Sequence, residues 1–369
     1  MRGLLRFVII FLALFQSLLF WRLKKSQNPK RILIAHYLLL GDTLLLAPLM
    51  KRICERYPNS EKFILVRPAF TPLYKMEPYD FKALPYNPKS FLDYWHAFHQ
   101  GSYDLTFVVG DNRYSWLARA LRSRWIIGIE NDKPQWKNWM LDETKFFDGK
   151  PATWADMMGR LVDGKNPKPY KKNEWLLPEL KKLPTTVDIS HPYIICHLGA
   201  SSSLKFWPKG SWQDLIEVLA KKGLKIALSV GPGEEHLLQE VDPSGRYIHI
   251  GGKSSLAEMW ILITYARLLI SVDTGIAHIA KFTNTPLVTL FGPGSPTCHG
   301  AGLFWNRASI VNVTVENFIC RDQNILFRRK IDWIKRCGRT KHECKTPGAC
   351  MEAITSEKVI HAIAKNFDF

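Results

Sequence analysis

The chain alternates, in two successive tracts, between short unbroken apolar runs and longer segments with helical spacing, and few folds accept that pattern. The first tract opens with RILIAHY (31–37). It continues with GDTLLLAPLMKRICERYP (41–58), which reads as a helix stopped at Pro58, and with the strand-like KFILVRP (62–68). FLDYWHAFHQ (91–100) has helical spacing, YDLTFVVG (103–110) reads as a strand, WLARALRS (116–123) as a helix and RWIIGIE (124–130) as a strand. Apolar runs without polar alternation mark strands covered on both faces. With helices between them they predict a parallel sheet. Residues 131–187 break the rhythm with Trp, Lys and Pro, and their later part reads as an interdomain connection.

The second tract repeats the scheme. Strands are expected at 192–199, 224–231, 246–250, 267–272 and 286–292. Helices are expected at 211–223, 233–241, 255–266 and 274–282, the third opened by a Ser255/Glu258 capping box. Two doubly wound α/β domains follow, drawn as 31–187 and 188–369, behind a separate segment 1–30. A length of 369 residues suits two domains, and 46% hydrophobic with 12% aromatic residues excludes a disordered chain.

Segment 1–30 is distinctive. Residues 7–21 are apolar apart from Gln16 and Ser17, preceded by Arg2 and Arg6 and followed by Arg22, Lys24, Lys25, Lys30 and Arg31. The basic run occupies the place of a cleavage site, so the segment reads as an uncleaved membrane anchor with the main body on the cytoplasmic side. It is marginal for the ~20 apolar residues that spanning requires. An anchor lying in the membrane plane competes with spanning. A helix packed on the domain is disfavoured, because the segment has no polar face. The net charge of +18 fits an anionic partner. Zinc-finger spacing, an RNA-binding aromatic signature and a long basic run are missing from the sequence, so a nucleic-acid partner is not expected. Cys320, Cys337, Cys344 and Cys350 gather near the C-terminus with spacings that match no zinc module. They read as free thiols of a reducing compartment, with a structural zinc as the alternative.

In open α/β sheets ligands bind beyond the carboxyl ends of the strands. Four such ends in the second tract carry polar or glycine-rich loops: HLGASSSLKFWP (197–208), VGPGEE (230–235), VDTGIAH (272–278) and FGPGSP (291–296). A helix starting near Thr274 would aim backbone N–H groups and its dipole at an anion, and Gly275 would allow close approach. Asp273 either caps that helix or orients a ligand hydroxyl. His278, one turn on, faces the same loops or is structural. Ser201, Ser202 and Ser203 offer hydroxyls, and Lys205 supplies a point charge for phosphate. Glu234 and Glu235 either stabilise a helix start or bind ribose hydroxyls.

Together, LGDTLLLAPL around Asp42, HLGASSSLKFWP and SVDTGIAHIAKFTNTPLVTLFGPGSP resemble glycosyltransferase family 9, the ADP-heptose:lipopolysaccharide heptosyltransferases. The segment 350–363 resembles the closing helix of that family. The resemblance implies a GT-B fold, two Rossmann-like domains facing across a cleft, with acceptor bound by the first and nucleotide sugar by the second. It implies inverting transfer without a metal or other cofactor. Asp42 then corresponds to the general base and Lys205 to a diphosphate contact. Asp273, Thr274 and Gly275 correspond to the phosphate loop, with Ala200 and Ser201 as further phosphate contacts, and Glu234 or Glu235 meets the nucleoside. The bland alternative for Asp42 is a helix cap. Leu38-Leu39-Leu40 before the Gly-Asp pair departs from the family pattern, as does the N-terminal anchor. The expected donor is ADP-heptose and the expected acceptor lipopolysaccharide core or a related glycolipid. The expected location is the cytoplasmic face of the inner membrane of a Gram-negative-type bacterium, against its anionic lipid. The alternatives are another nucleotide sugar, or an inactive GT-B-like binding protein.

Overall fold

The computed structural model describes residues 2–20, 24–146, 149–176, 187–188 and 190–368. It divides into two compact units. Unit 1 comprises Met1–Lys168 with Ile325–Trp333, and unit 2 comprises Pro169–Asn324 with Ile334–Phe369. The expected connection runs largely through residues 177–186, outside the described residues.

Unit 1 contains α1 (Arg2–Phe20), β1 (Arg31–Ala35), α2 (Leu40–Leu44), α3 (Ala47–Arg56), β2 (Glu61–Val66), β3 (Phe81–Pro85), α4 (Phe91–His99), β4 (Tyr103–Val108), α5 (Tyr114–Ala120), β5 (Ser123–Ile129), β6 (Glu143–Lys145) and α6 (Trp154–Gly159). Its six-stranded sheet runs in the order β3-β2-β1-β4-β5-β6, and every pairing is parallel. The strand order reverses between β1 and β4. The expected helix 41–58 is two helices, because Pro48 lacks the N–H that would bond Leu44 and its ring crowds that carbonyl. Strands β3 and β6 were not expected. Both lie at the sheet edges, where short runs with exposed residues carry a weak apolar signal.

The N-terminal segment corrects the spanning reading. Among the described residues no helix is long and apolar enough to cross a membrane. Helix α1 has 19 residues and joins the core of unit 1, against the expectation from its missing polar face. Leu5 and Ala13 are buried in one cluster with Tyr94 and Ala97 of α4 and Leu117 and Ala118 of α5, with Ile9 and Leu12 packed against it. The basic flank is partly internal as well. Lys25 pairs with Glu143 at 2.9 Å and Asp163 at 3.3 Å, and Arg31 pairs with Glu61.

Unit 2 repeats the topology with β7 (Tyr193–His197), α7 (Lys209–Lys221), β8 (Lys225–Ser229), α8 (His236–Val241), β9 (Ile248–Ile250), α9 (Leu256–Tyr265), β10 (Leu268–Val272), α10 (Gly275–Thr283), β11 (Leu287–Phe291), α11 (Pro296–His299) and β12 (Ile310–Thr314). The order β12-β11-β10-β7-β8-β9 is again wholly parallel, with the reversal between β7 and β10. The Ser255/Glu258 capping box of α9 is formed, with Ser255 Oγ accepting from the Glu258 N–H at 3.2 Å. The chain then enters unit 1 as the hairpin β13 (Ile325–Leu326) and β14 (Arg329–Lys330), before α12 (Ala349–Glu352) and α13 (Ser356–Asn366) complete unit 2.

Candidate functional site

The site is built where the strand order of unit 2 reverses, the place at which an open α/β sheet leaves room for a ligand. The loop after β7 carries Lys205, and β10 ends directly before Asp273. Lys205 Nζ donates to Asp273 Oδ2 and to the Asp273 carbonyl, both at 2.8 Å. Burial alone would push the Asp273 carboxyl up. The Lys205 ammonium, the nearby His299 and the Lys205 hydrogen bond outweigh burial and hold the carboxyl well below the usual range. Gly294, from the loop after β11, is required here because a Cβ would overlap Asp273 Oδ2.

Asp273 is not the cap of α10. Thr274 is, its Oγ1 accepting from the Ile276 N–H at 3.0 Å, so Asp273 is left for Lys205. Thr274 and Gly275 are partly exposed at the helix start, where N–H groups lack helical partners. His278 is 5% exposed, and among the described residues its Nδ1 has no hydrogen-bond partner. Burial, with Lys281 nearby, keeps His278 neutral. Its ring lies 6.4 Å from that of His299, whose pKa burial lowers to about 4. His299 was missed in the sequence. Its signal was slight, a single histidine shortly after a Gly-Pro loop.

Ala200 is buried and Ser201 is exposed. The Ser202 hydroxyl caps the short 3-10 turn Ser203–Lys205, accepting from the Leu204 N–H at 3.4 Å. Glu234 and Glu235 precede α8 instead of lying within it. The Glu234 carboxylate accepts the Gly231 N–H at 2.8 Å and lies against Gly199, where a Cβ would overlap Oε2. Glu234 thus closes the loop after β8 on itself and packs against the loop after β7, whereas Glu235 is exposed as the α8 cap residue. Trp207 anchors the Lys205 loop, its Nε1 donating to the Ile354 carbonyl at 2.7 Å. Backbone donors, an ammonium and a partly open helix start can together hold a diphosphate.

In unit 1, Asp42 lies beyond β1, also at the strand-order reversal. It is half-buried in the first turn of α2 and is not the cap. Leu39 holds the cap position without a side-chain bond. Just before it, His36 is buried with Nε2 unpartnered among the described residues, and burial, with Arg67 nearby, lowers its pKa to about 3. Leu38 fills the space over Gly110, whose φ is +78°.

All seven cysteines are free. Burial, with Cys337 and Cys344 nearby, pushes the Cys320 thiol up, and burial, with Cys320 nearby, pushes the Cys350 thiol up to about 11. Among the described residues no group of three or more Cys, His, Asp or Glu is arranged to hold a metal.

Residues 92–328 match the family model of glycosyltransferase family 9 (heptosyltransferase). Lipopolysaccharide heptosyltransferase 1 of Salmonella typhimurium is 31% identical over 109 residues, covering 29% of this chain and 34% of that protein. Its Escherichia coli counterpart is 30% identical over 132 residues, 35% of this chain and 40% of that protein. The chain therefore spans well under half the length of these relatives in alignment. The structure of E. coli heptosyltransferase WaaC with ADP superposes with a TM-score of 0.68 at 18% identity, covering 91% of this chain and all (100%) of that one. That of E. coli ADP-heptose lps heptosyltransferase II superposes with a TM-score of 0.65 at 15% identity, over 91% of this chain and 98% of that one.

Proposed function

Because this chain belongs to glycosyltransferase family 9, the heptosyltransferase family, we propose that it transfers a heptosyl group from ADP-heptose to lipopolysaccharide core or a related glycolipid, with inversion and without a metal. The observation that carries this reading is the Lys205–Asp273 pair at the start of α10. Leaving of a diphosphate requires positive charge or N–H donors, and that site offers both. Asp273 holds Lys205 in place, and Thr274 and Gly275 would present backbone donors to the phosphates. Glu234 would meet the ribose. As the acceptor oxygen attacks the anomeric carbon, Asp42 would take its proton, and the bond to the diphosphate would break with the electron pair leaving on ADP. With Lys205 and the helix dipole neutralising that charge, the reaction needs no divalent cation. Asp42 lies upstream of the stretch matched by the family model, so its role rests on the LGDTLLLAPL motif and its place after β1. A glycolipid acceptor places the enzyme on the cytoplasmic face of the inner membrane of a Gram-negative-type bacterium, against anionic lipid.

The test is calorimetric binding of ADP-heptose together with a transfer assay. Lys205→Ala is expected to weaken donor binding roughly 10- to 100-fold, the worth of a hydrogen bond to a charged group. Asp42→Asn is expected to lower kcat at least about 100-fold with donor affinity unchanged. Wild-type turnover in Asp42→Asn would remove Asp42 as the base. Thermal stabilisation by a different nucleotide sugar alone would reassign the donor. No binding of any nucleotide sugar would make the chain a non-catalytic binding protein.

A further inference from the structure

From Phe7 to Phe20 helix α1 is apolar apart from Gln16 and Ser17, yet only half of that surface is used. Leu5, Ala13 and Gln16 are buried against unit 1, with Ile9 and Leu12 partly so. On the opposite side Leu4, Phe7, Phe11, Leu14, Phe15 and Leu18 recur at the three- and four-residue spacing of a single helix face. Each is about half exposed or more, up to 76% for Leu18. Soluble surfaces rarely leave so long an apolar stripe uncovered. Unit 1 carries further exposed rings. Trp139 is 66% exposed and lies 6.4 Å from Trp116 of α5, the helix on which α1 packs. Phe91 and Trp95, on α4 of the same hydrophobic cluster, are exposed as well.

We infer that α1 is an in-plane membrane anchor, its outer stripe seated in the interface of an anionic bilayer while its inner face stays docked on unit 1. One observation excludes spanning, and two more select a bilayer over other occupants. Spanning would strip the inner face from the core to which Leu5 and Ala13 belong, and among the described residues no helix is long and apolar enough to cross. The exposed Arg6, Lys24 and Lys30 near the ends of this segment, on a chain of net charge +18, complement anionic headgroups. The exposed Trp139, next to the Met140 whose Sδ accepts from Ser17 of α1 at 3.2 Å, suits the headgroup level, where an amphipathic ring is most stable. An interfacial helix of this kind sits roughly 5–10 Å deep and binds by apolar area plus charge. This inference specifies how unit 1 meets the membrane partner of the reading above, and its test needs neither donor nor acceptor.

The full chain is sedimented with vesicles of phosphatidylcholine alone or with a third phosphatidylglycerol. Binding is expected to be stronger to the anionic vesicles, to fall with added salt, and to be released by alkaline carbonate. The variant Phe7→Ser/Phe11→Ser/Leu14→Ser, altered only at exposed positions, is expected to lose binding at least about tenfold with its melting temperature retained. Its transfer to a soluble acceptor fragment should match wild type, which separates failure of the anchor from failure of the proposed chemistry. Resistance to carbonate would overturn the in-plane geometry. Unchanged vesicle binding in the triple variant would remove α1 as the anchor. A wild-type dimer that ignores vesicles, and that the triple variant turns into a monomer, would show that a second copy of the chain covers the stripe.

Discussion

Glu234 and Glu235 are adjacent, and their surroundings differ. The Glu234 carboxylate occupies space that exists only because Gly199 and Gly231 lack side chains, and it holds the Gly231 N–H at 2.8 Å. Glu235 faces solvent. Gly199→Ala would therefore displace the Glu234 carboxylate. We expect a rise of roughly tenfold or more in donor KM with little change in kcat, read by steady-state kinetics, since a displaced hydrogen bond to a charged group costs about 1.5–3 kcal/mol. An unchanged KM would detach Glu234 from donor binding. The two aspartates follow similar logic. An aspartate before a helical run reads equally as cap or functional group, and the structure gives the cap positions to Leu39 and Thr274. The capping explanation for Asp42 and Asp273 is thereby removed.

At the scale of elements, the site loops are held by parts of the chain distant in sequence. Trp207 sits two residues after Lys205, is 3% exposed, stacks edge-on against Trp212 and donates to Ile354 between α12 and α13. The closing helices thus fix the loop that presents Lys205. Trp207→Phe keeps most of the ring but leaves the Ile354 carbonyl unpaired, costing about 1–3 kcal/mol. The expected readout is a melting temperature lower by roughly 2–4 °C per kcal/mol, together with weaker donor binding. Loss of stability without loss of donor affinity would show that the loop keeps its shape unaided. In unit 1 the hairpin β13–β14 has a comparable role. Arg329, 4% exposed, donates to the carbonyls of Gly110, Ile129 and Glu130 at the ends of β4 and β5, and Phe327 stacks on Trp154 at 4.2 Å. The sequence shows only a basic stretch there. Nothing local marks one arginine of Arg328, Arg329 and Arg336 as the buried one.

For the whole molecule the buried histidines set the response to acid. Burial lowers the pKa of His36 to about 3, and of His197 and His299 to about 4. In the unfolded chain imidazoles titrate near 6.5. Between about pH 6.5 and 4 the unfolded state thus binds protons that the folded state does not, and stability falls as pH drops, by up to about 1.4 kcal/mol per pH unit for each such histidine. Asp273, held low in the fold, adds a loss of the same sign below about pH 3.9. Denaturant midpoints measured from pH 7 to 5 should fall steadily. A flat profile would mean that these imidazoles protonate within the folded chain. Much of the fold was nevertheless legible without coordinates. Continuous apolar runs separated by helical segments can be satisfied only by parallel sheets covered on both faces, and the glycine-rich loops do follow the carboxyl ends of β7, β8, β10 and β11. Those signals are local, so the strand order, the pairing of Lys205 with Asp273 and the seating of the Glu234 carboxylate against Gly199 were beyond them. The same holds for α1, whose composition reads as a membrane span. Only packing decided that one of its apolar faces belongs to the core of unit 1, because burial depends on what the chain brings alongside, and that partner, α5, lies a hundred residues away in sequence.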